Sequence, residues 1–136
     1  MIAEGDVSRN TTILSWACQL IAAAILGQTL FFKFTGAEES VYIFSVLGME
    51  PWGRIGTGVA ELAAALMLLY PRTAAVGALL AAGLMAGAIA GHLTKLGIEV
   101  MGDGGLLFGL AVTVLLAAST VLVLRRREIP VIGDQL

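Results

Sequence analysis

Apolar residues in this chain fall in long blocks rather than alternating with polar ones, and four blocks have the length of a bilayer-crossing helix. A hydrocarbon core about 30 Å thick needs about 20 apolar residues in helical form. Residues 13–32, 53–70, 73–93 and 105–124 meet that requirement, the second being the shortest and most polar. The blocks are rich in Ala, Leu and Met and lack the dyad alternation of a membrane barrel. The pattern therefore predicts an all-α fold, an integral membrane four-helix bundle forming one transmembrane domain over residues 1–136.

The connections refine that picture. Tyr70-Pro71-Arg72 is very short, so the second and third spans form a tight antiparallel hairpin. The stretch from Phe34 to Trp52 is long and partly apolar. Within it Glu38-Glu39-Ser40 leads into Val41–Leu47, stopped by Gly48 and Pro51, which predicts a short interfacial helix with acidic residues at its start. That helix is either a lid over the outer end of the bundle or a surface-lying connector, with Tyr42 and Trp52 suited to the interface. Gly83, Gly87 and Gly91 recur at intervals of four in the third span; Gly105, Gly109, Thr113 and Ala117 do so in the fourth. Small residues at that spacing predict helix contact faces, within one chain or in a homo-oligomer.

Composition agrees: 58% of residues are hydrophobic and 13% charged, against about 25% charged in soluble domains. The leading segment sets Glu4 and Asp6 against one Arg9, and the first apolar block ends in Phe31-Phe32-Lys33. Neither feature suits a cleaved signal peptide, so the block reads as a retained helix. Four spans put both termini on one side, with Arg9, Arg72 and Arg125-Arg126-Arg127; the other side holds Lys33, Arg54 and Lys95. The basic excess predicts cytoplasmic termini in a cell (inner) membrane. A net charge of −2 with no basic groove predicts no nucleic-acid partner, leaving membrane lipid as the surroundings.

Candidate chemistry rests on the few ionisable groups at membrane depth. Glu61 lies eight residues into the second span, about 12 Å from its start, on the face it shares with Arg54 and Thr57. Thr29 and Lys33 share a face of the first span, with Ser15 and Gln19 further along the stripe and Gln28 off it. Met85, Ala88, His92 and Lys95 form a stripe on the third span roughly opposite Gly83, which predicts different neighbours for His92 and the glycine face. Lys33, Arg54, His92, Lys95 and Asp103 fall at the outer helix ends with Glu61 below them, so polar groups converge on the outer half. A charge within the bilayer costs several kcal/mol unless paired or hydrated. Glu61 therefore either pairs with Lys33, Arg54 or His92 and locks the helices, or joins them in an outward-facing ligand pocket. The polar stripe thins in the inner half, which disfavours a transport path. Cys18 is the one cysteine and His92 the one histidine, which excludes an intramolecular disulfide, a CxxC pair and a multi-His metal site.

Phe32-Lys33-Phe34-Thr35-Gly36, Gly56–Leu62 with Glu61 inside it, Tyr70-Pro71-Arg72-Thr73 and Gly87–Leu93 with His92 inside it follow one another in a recognisable order. Together they resemble the DoxX-like family of small four-helix membrane proteins, over about Leu14 to Arg126. Members of that family include a membrane subunit associated with thiosulfate:quinone oxidoreductase, and others linked to thiol and oxidative-stress defence. The resemblance implies Lys33, Glu61 and His92 as the matching polar positions. The expectation is a redox-linked membrane component binding a quinone or small sulfur compound through Lys33, Arg54, Glu61 and His92 for a partner redox subunit. The alternative is a non-catalytic scaffold or assembly factor whose polar cluster is structural.

Overall fold

A computed structural model describes residues 4–130 and 133–135; the side chains of Glu4 and Asp6, on which the reading of the leading segment rested, lie outside the described residues. The elements are α1 (Glu4–Thr35), α2 (Glu38–Val46), α3 (Trp52–Leu69), α4 (Ala74–Gly91) continuing into a π-helical turn (His92–Leu96), and α5 (Leu106–Leu124). Short 3₁₀ turns follow at Arg126–Glu128 and Gly133–Gln135, and no strand occurs among the described residues. Four helical stretches are long and apolar enough to cross a membrane: Arg9–Thr35, Trp52–Leu69, Ala74–Leu96 and Leu106–Leu124. The first runs beyond the apolar block at both ends, because polar residues extend a helix out of the bilayer as readily as apolar ones extend it within.

The four spans pack as a ring in the order α1, α3, α4, α5, each antiparallel to its neighbours. The short helix α2 links α1 to α3 at the end of the bundle away from the chain termini (the distal end) and packs on α1, α3 and the π-turn. Large apolar side chains such as Ile13, Leu66, Leu79, Leu116 and Val123 point outward and are mostly exposed. In lipid that outward greasiness is solvation, and the inward face must associate by close packing instead.

Alanine supplies that packing. Ala22, Ala64, Ala78, Ala81 and Ala118 are wholly buried, with Leu26, Leu68, Val114 and Val121 filling the space between them. Gly77, just after the hairpin, is pressed against α3: a Cβ there would come within 2.8 Å of Met67 Cβ and 2.9 Å of the Leu68 nitrogen. Thr73 steadies the same turn by donating its hydroxyl to the Met67 carbonyl at 2.9 Å. The glycine stripe of the third span is not the packed face the sequence predicts. Gly83 and Gly87 are exposed with nothing within 4 Å of a Cβ, and Gly91 meets only side-chain ends, of Leu47 at 3.6 Å and Leu96. Gly109 and Thr113 of α5 also face outward; Ala117 in their register is buried. The reason is rotation: α4 turns Ala74, Ala78, Ala81 and Met85 to the core, leaving the glycine edge to one side.

Glycine substitutions should separate these cases. Gly77→Leu drives a side chain into the α3 backbone and should destabilise the detergent-solubilised protein by about 1–3 kcal/mol. Gly83→Ala should leave it unchanged or stabilise it by about 0.4–1 kcal/mol, since the added methyl enters open space on a helix. Chemical or thermal denaturation followed by circular dichroism measures both.

Candidate functional site

A cavity of about 600 Å³ occupies the distal half of the bundle, walled by α1, α3, α4 and α5 and covered by α2 through Ser40, Ile43, Phe44 and Leu47. Its lining is mainly apolar, interrupted by Gln28, Thr29, Lys33, Glu39, Ser40, Thr57, Glu61, His92 and Asp103. Both the size and the mixture, a greasy wall with a few convergent polar groups, are those of small-molecule sites.

The central polar feature is an ion pair between two spans. Lys33 Nζ, on the last turn of α1, lies 3.1 Å from Glu61 Oε2 on α3, with side chains 16% and 3% exposed. The lysine also sits where a helix C-terminus favours a cation. The ammonium meets the carboxylate at charge-assisted contact distance, and a carboxylate with two oxygens keeps capacity to accept from a further donor. An unpaired charge in mid-bilayer costs about 2.5–3.5 kcal/mol on insertion scales, which is the penalty this pairing offsets.

His92 opens the π-turn and is 5% exposed. Its Nδ1 lies 2.9 Å from the Gly97 carbonyl. A carbonyl only accepts, so Nδ1 carries a proton, and Nε2 is the ring nitrogen left for a ligand. The ring stands edge-on to Phe108 of α5, 5.6 Å between centroids. The π-turn itself is not visible in hydropathy, and single π-helical turns gather at functional sites.

Two of the sequence candidates for the outer polar cluster stand apart from the cavity. Arg54 donates Nε to Glu50 Oε1 and Oε2 at 2.9 and 3.0 Å, and Nη1 to the Lys33 carbonyl, closing the end of α1 rather than facing the cavity. Lys95 is exposed and outside the lining. Gly83 and Gly87 line the same cavity as Met85, Ala88 and His92, against the expectation of separate faces.

Asp103 joins the lining in a different role. Its Oδ1 accepts from the nitrogens of Val100 at 3.0 Å and Gly105 at 2.8 Å, and Oδ2 from Leu107 at 3.1 Å, tying the preceding loop to the start of α5. Partial burial works against its charged form, but the backbone N–H groups of Val100, Leu107, Gly105 and Leu106 outweigh that and hold the carboxyl below its ordinary value of 3.8. An Asp just before a glycine pair and an apolar run is the signal that marks this helix start in the sequence.

The termini end holds a second polar cluster: Ser15 and Gln19, the inner part of the stripe named in the sequence, are joined there to Arg125, a contact that sequence reading missed. Arg125 Nε donates to Ser15 Oγ at 2.8 Å and to Gln19 Oε1 at 3.0 Å, while Gln19 Nε2 donates to the Leu68 carbonyl at 2.7 Å. Arg125 also pairs with Glu128 at 3.1 Å. The inner half is therefore not devoid of polarity. Its polar groups are spent on one another and on the α3 C-terminus, where hydropathy gives no sign of them.

A family model described as the DoxX-like family matches residues 17–119. That stretch contains the whole cavity lining, from Ile25 to Ala111. No curated protein and no solved structure matches the chain.

The Asp103 cap carries a pH signature. A carboxyl whose folded pKa is depressed contributes stability above its unfolded pKa and loses it as pH falls through the folded value. Asp103→Asn should therefore lower stability by about 0.5–2 kcal/mol at neutral pH, the usual worth of a helix cap. The gap to the unsubstituted protein should close as pH drops below the ordinary carboxylate range. Unfolding midpoints of both proteins from pH 7 down to pH 3 measure it, and a pH-independent gap would reject the assignment.

Proposed function

We propose that this chain, which belongs to the DoxX-like family of membrane proteins, is a redox-linked membrane component that binds a quinone or a small sulfur compound in the distal cavity and serves a partner enzyme. The observation that carries the reading is the Lys33–Glu61 pair set into the wall of a largely apolar cavity of about 600 Å³. The Lys33 ammonium can donate to a ligand carbonyl or sulfur-bound oxygen, the Glu61 carboxylate can accept from a hydroxyl, and His92 Nε2 can accept from or pass on a proton. Those are the groups needed to hold a quinone head and to supply or take up protons as it changes redox state. The chain has one cysteine, so no dithiol of its own joins the chemistry, and electrons are the business of ligand and partner.

In this reading the protein lies in the cell (inner) membrane with both termini cytoplasmic and the distal cavity outward. Arg72, Arg125, Arg126 and Arg127 on the termini side support that orientation. Lys33, Glu61 and His92 are the ligand-binding residues; Arg54 supports the site from outside by holding the end of α1.

One observation favours the second reading, a non-catalytic scaffold or assembly factor: Lys33 and Glu61 already neutralise each other and tie α1 to α3 without a ligand. Glu61→Gln separates the two, because it keeps the shape and removes the charge. With a short-chain ubiquinone analogue as the probe, affinity should fall tenfold or more, about 1.4 kcal/mol, while the helical content is unchanged. Unaltered affinity in that variant, or native mass spectra in mild detergent that show only lipid bound to the unsubstituted protein, would favour the scaffold.

A further inference from the structure

We infer that the cavity is reached sideways from the bilayer, through a portal between α3 and α4 edged by Gly83 and Gly87, and that its ligand is an amphiphile with a polar head and an apolar tail. The inference deepens the reading above and rests on it for the existence of a ligand; the portal itself rests on packing alone.

At the hairpin end α3 and α4 are pressed together, with Gly77 against Met67 and Leu68. Further along α4, at Gly83 and Gly87, no atom of α3 lies within 4 Å of a Cβ position. Gly83 lies nine residues into the helix, about 14 Å from its start and near the middle of the Ala74–Leu96 span. Gly83 and Gly87 are exposed, have nothing within 4 Å of a Cβ, and line the cavity. Their neighbours around the helix, Leu79, Ala86 and Ala90, are exposed and face lipid. The glycine edge is thus where the cavity wall meets the lipid face. Across from it, Met67 shares its face of α3 with Ala60 and Gly56, seven and eleven residues earlier, and Gly56 also has open space beside it. The α4 bank thus sets Gly83 and Gly87 beside the half-buried Leu80 and Leu84, and the α3 bank is small apart from Met67.

The aqueous end is closed by contrast. Leu47 of the α2 C-terminus lies 3.6 Å from where a Gly91 Cβ would stand, and the Met49 side chain lies against Gly53 of α3. Leu47 and Met49 also line the cavity, so they cover its distal side between α3 and α4. Phe44, 7% exposed, fills the cover from α2. A molecule dissolved in the bilayer meets an opening at mid-depth; one in water meets Leu47, Met49 and Phe44. Within the cavity the ion pair lies where a polar head would stop, and the apolar wall toward α4 suits a tail that trails back through the gap.

Access can be read without knowing the ligand. Thr57 lines the cavity on α3, so Thr57→Cys in a Cys18→Ser background places one thiol inside it. In proteoliposomes of the full chain, a long-chain N-alkyl maleimide dissolved in the lipid should modify that thiol at least tenfold faster than a charged, membrane-impermeant thiosulfonate supplied to both aqueous faces. Gly83→Leu and Gly87→Leu, which fill open space on a helix and should fold, should each slow the alkyl maleimide tenfold or more. Equal rates for the two reagents would overturn the portal. So would unchanged rates in the glycine variants with slowing in Gln28→Trp, since Gln28 is exposed and lines the cavity from the α1 side. The ligand reading is tested separately, with a decyl-tailed benzoquinone and its tail-less counterpart. Tighter binding of the tailed form, weakened by Gly87→Leu, supports the amphiphile. Fast maleimide labelling with no benzoquinone binding would leave the portal standing and remove the quinone form of the proposed function, and the tailed ligand with it.

Discussion

Inside a bilayer no water is at hand to complete a hydrogen bond or screen a charge, and this requirement shapes every polar contact in the molecule. The backbone answers it by helix formation, and the few polar side chains answer it by finding one another. At the distal end Lys33 and Glu61 join α1 to α3. At the other end Arg125 reaches Ser15 and Gln19, and Gln19 passes on to the Leu68 carbonyl, so α1, α3 and the end of α5 are tied through one network. His92 meets the same demand locally by bonding the Gly97 carbonyl that its own π-turn presents. Polar contacts thus fasten the two ends, and alanine packing fills the middle.

That division makes room for a cavity. Close packing by Ala64, Ala65, Ala78 and Ala81, with Gly77 beneath them, draws α3 and α4 together over the termini half. In the distal half the helices carry groups that cannot pack so closely. Glu61 there meets the lysine of α1 across the bundle. The space between the helices is large enough for a small molecule, and α2 covers it with Phe44 and Ser40 buried against it. One arrangement therefore supplies a rigid base, a polar anchor and a covered hollow.

The pairing at Glu61 can be read in two ways, and the difference is one of surroundings. A lysine–glutamate pair buried against well-packed side chains would be a lock between helices. This pair instead lines a largely apolar hollow. A carboxylate paired through one oxygen can still accept from a donor placed beside it. That setting is what supports the proposed binding reading over a scaffold.

Hydropathy by itself determined the number of spans, the all-α class, the tight hairpin at Pro71 and the short helix from Glu38, because each depends on local length and local turn chemistry. The sequence also pointed to Lys33, Glu61 and His92, since ionisable groups are conspicuous in apolar blocks, and all three line the cavity. It did not tell that Arg54 turns to Glu50 and the Lys33 carbonyl, that Arg125 seals the opposite end, or that the glycines of α4 border a void rather than a neighbour. Those outcomes depend on how far each helix is rotated about its axis and where two helices part. Small residues at four-residue spacing suit a contact face and an opening equally well. Only the packing of the whole bundle, with alanines claiming the core, decided which of the two Gly83 and Gly87 would form.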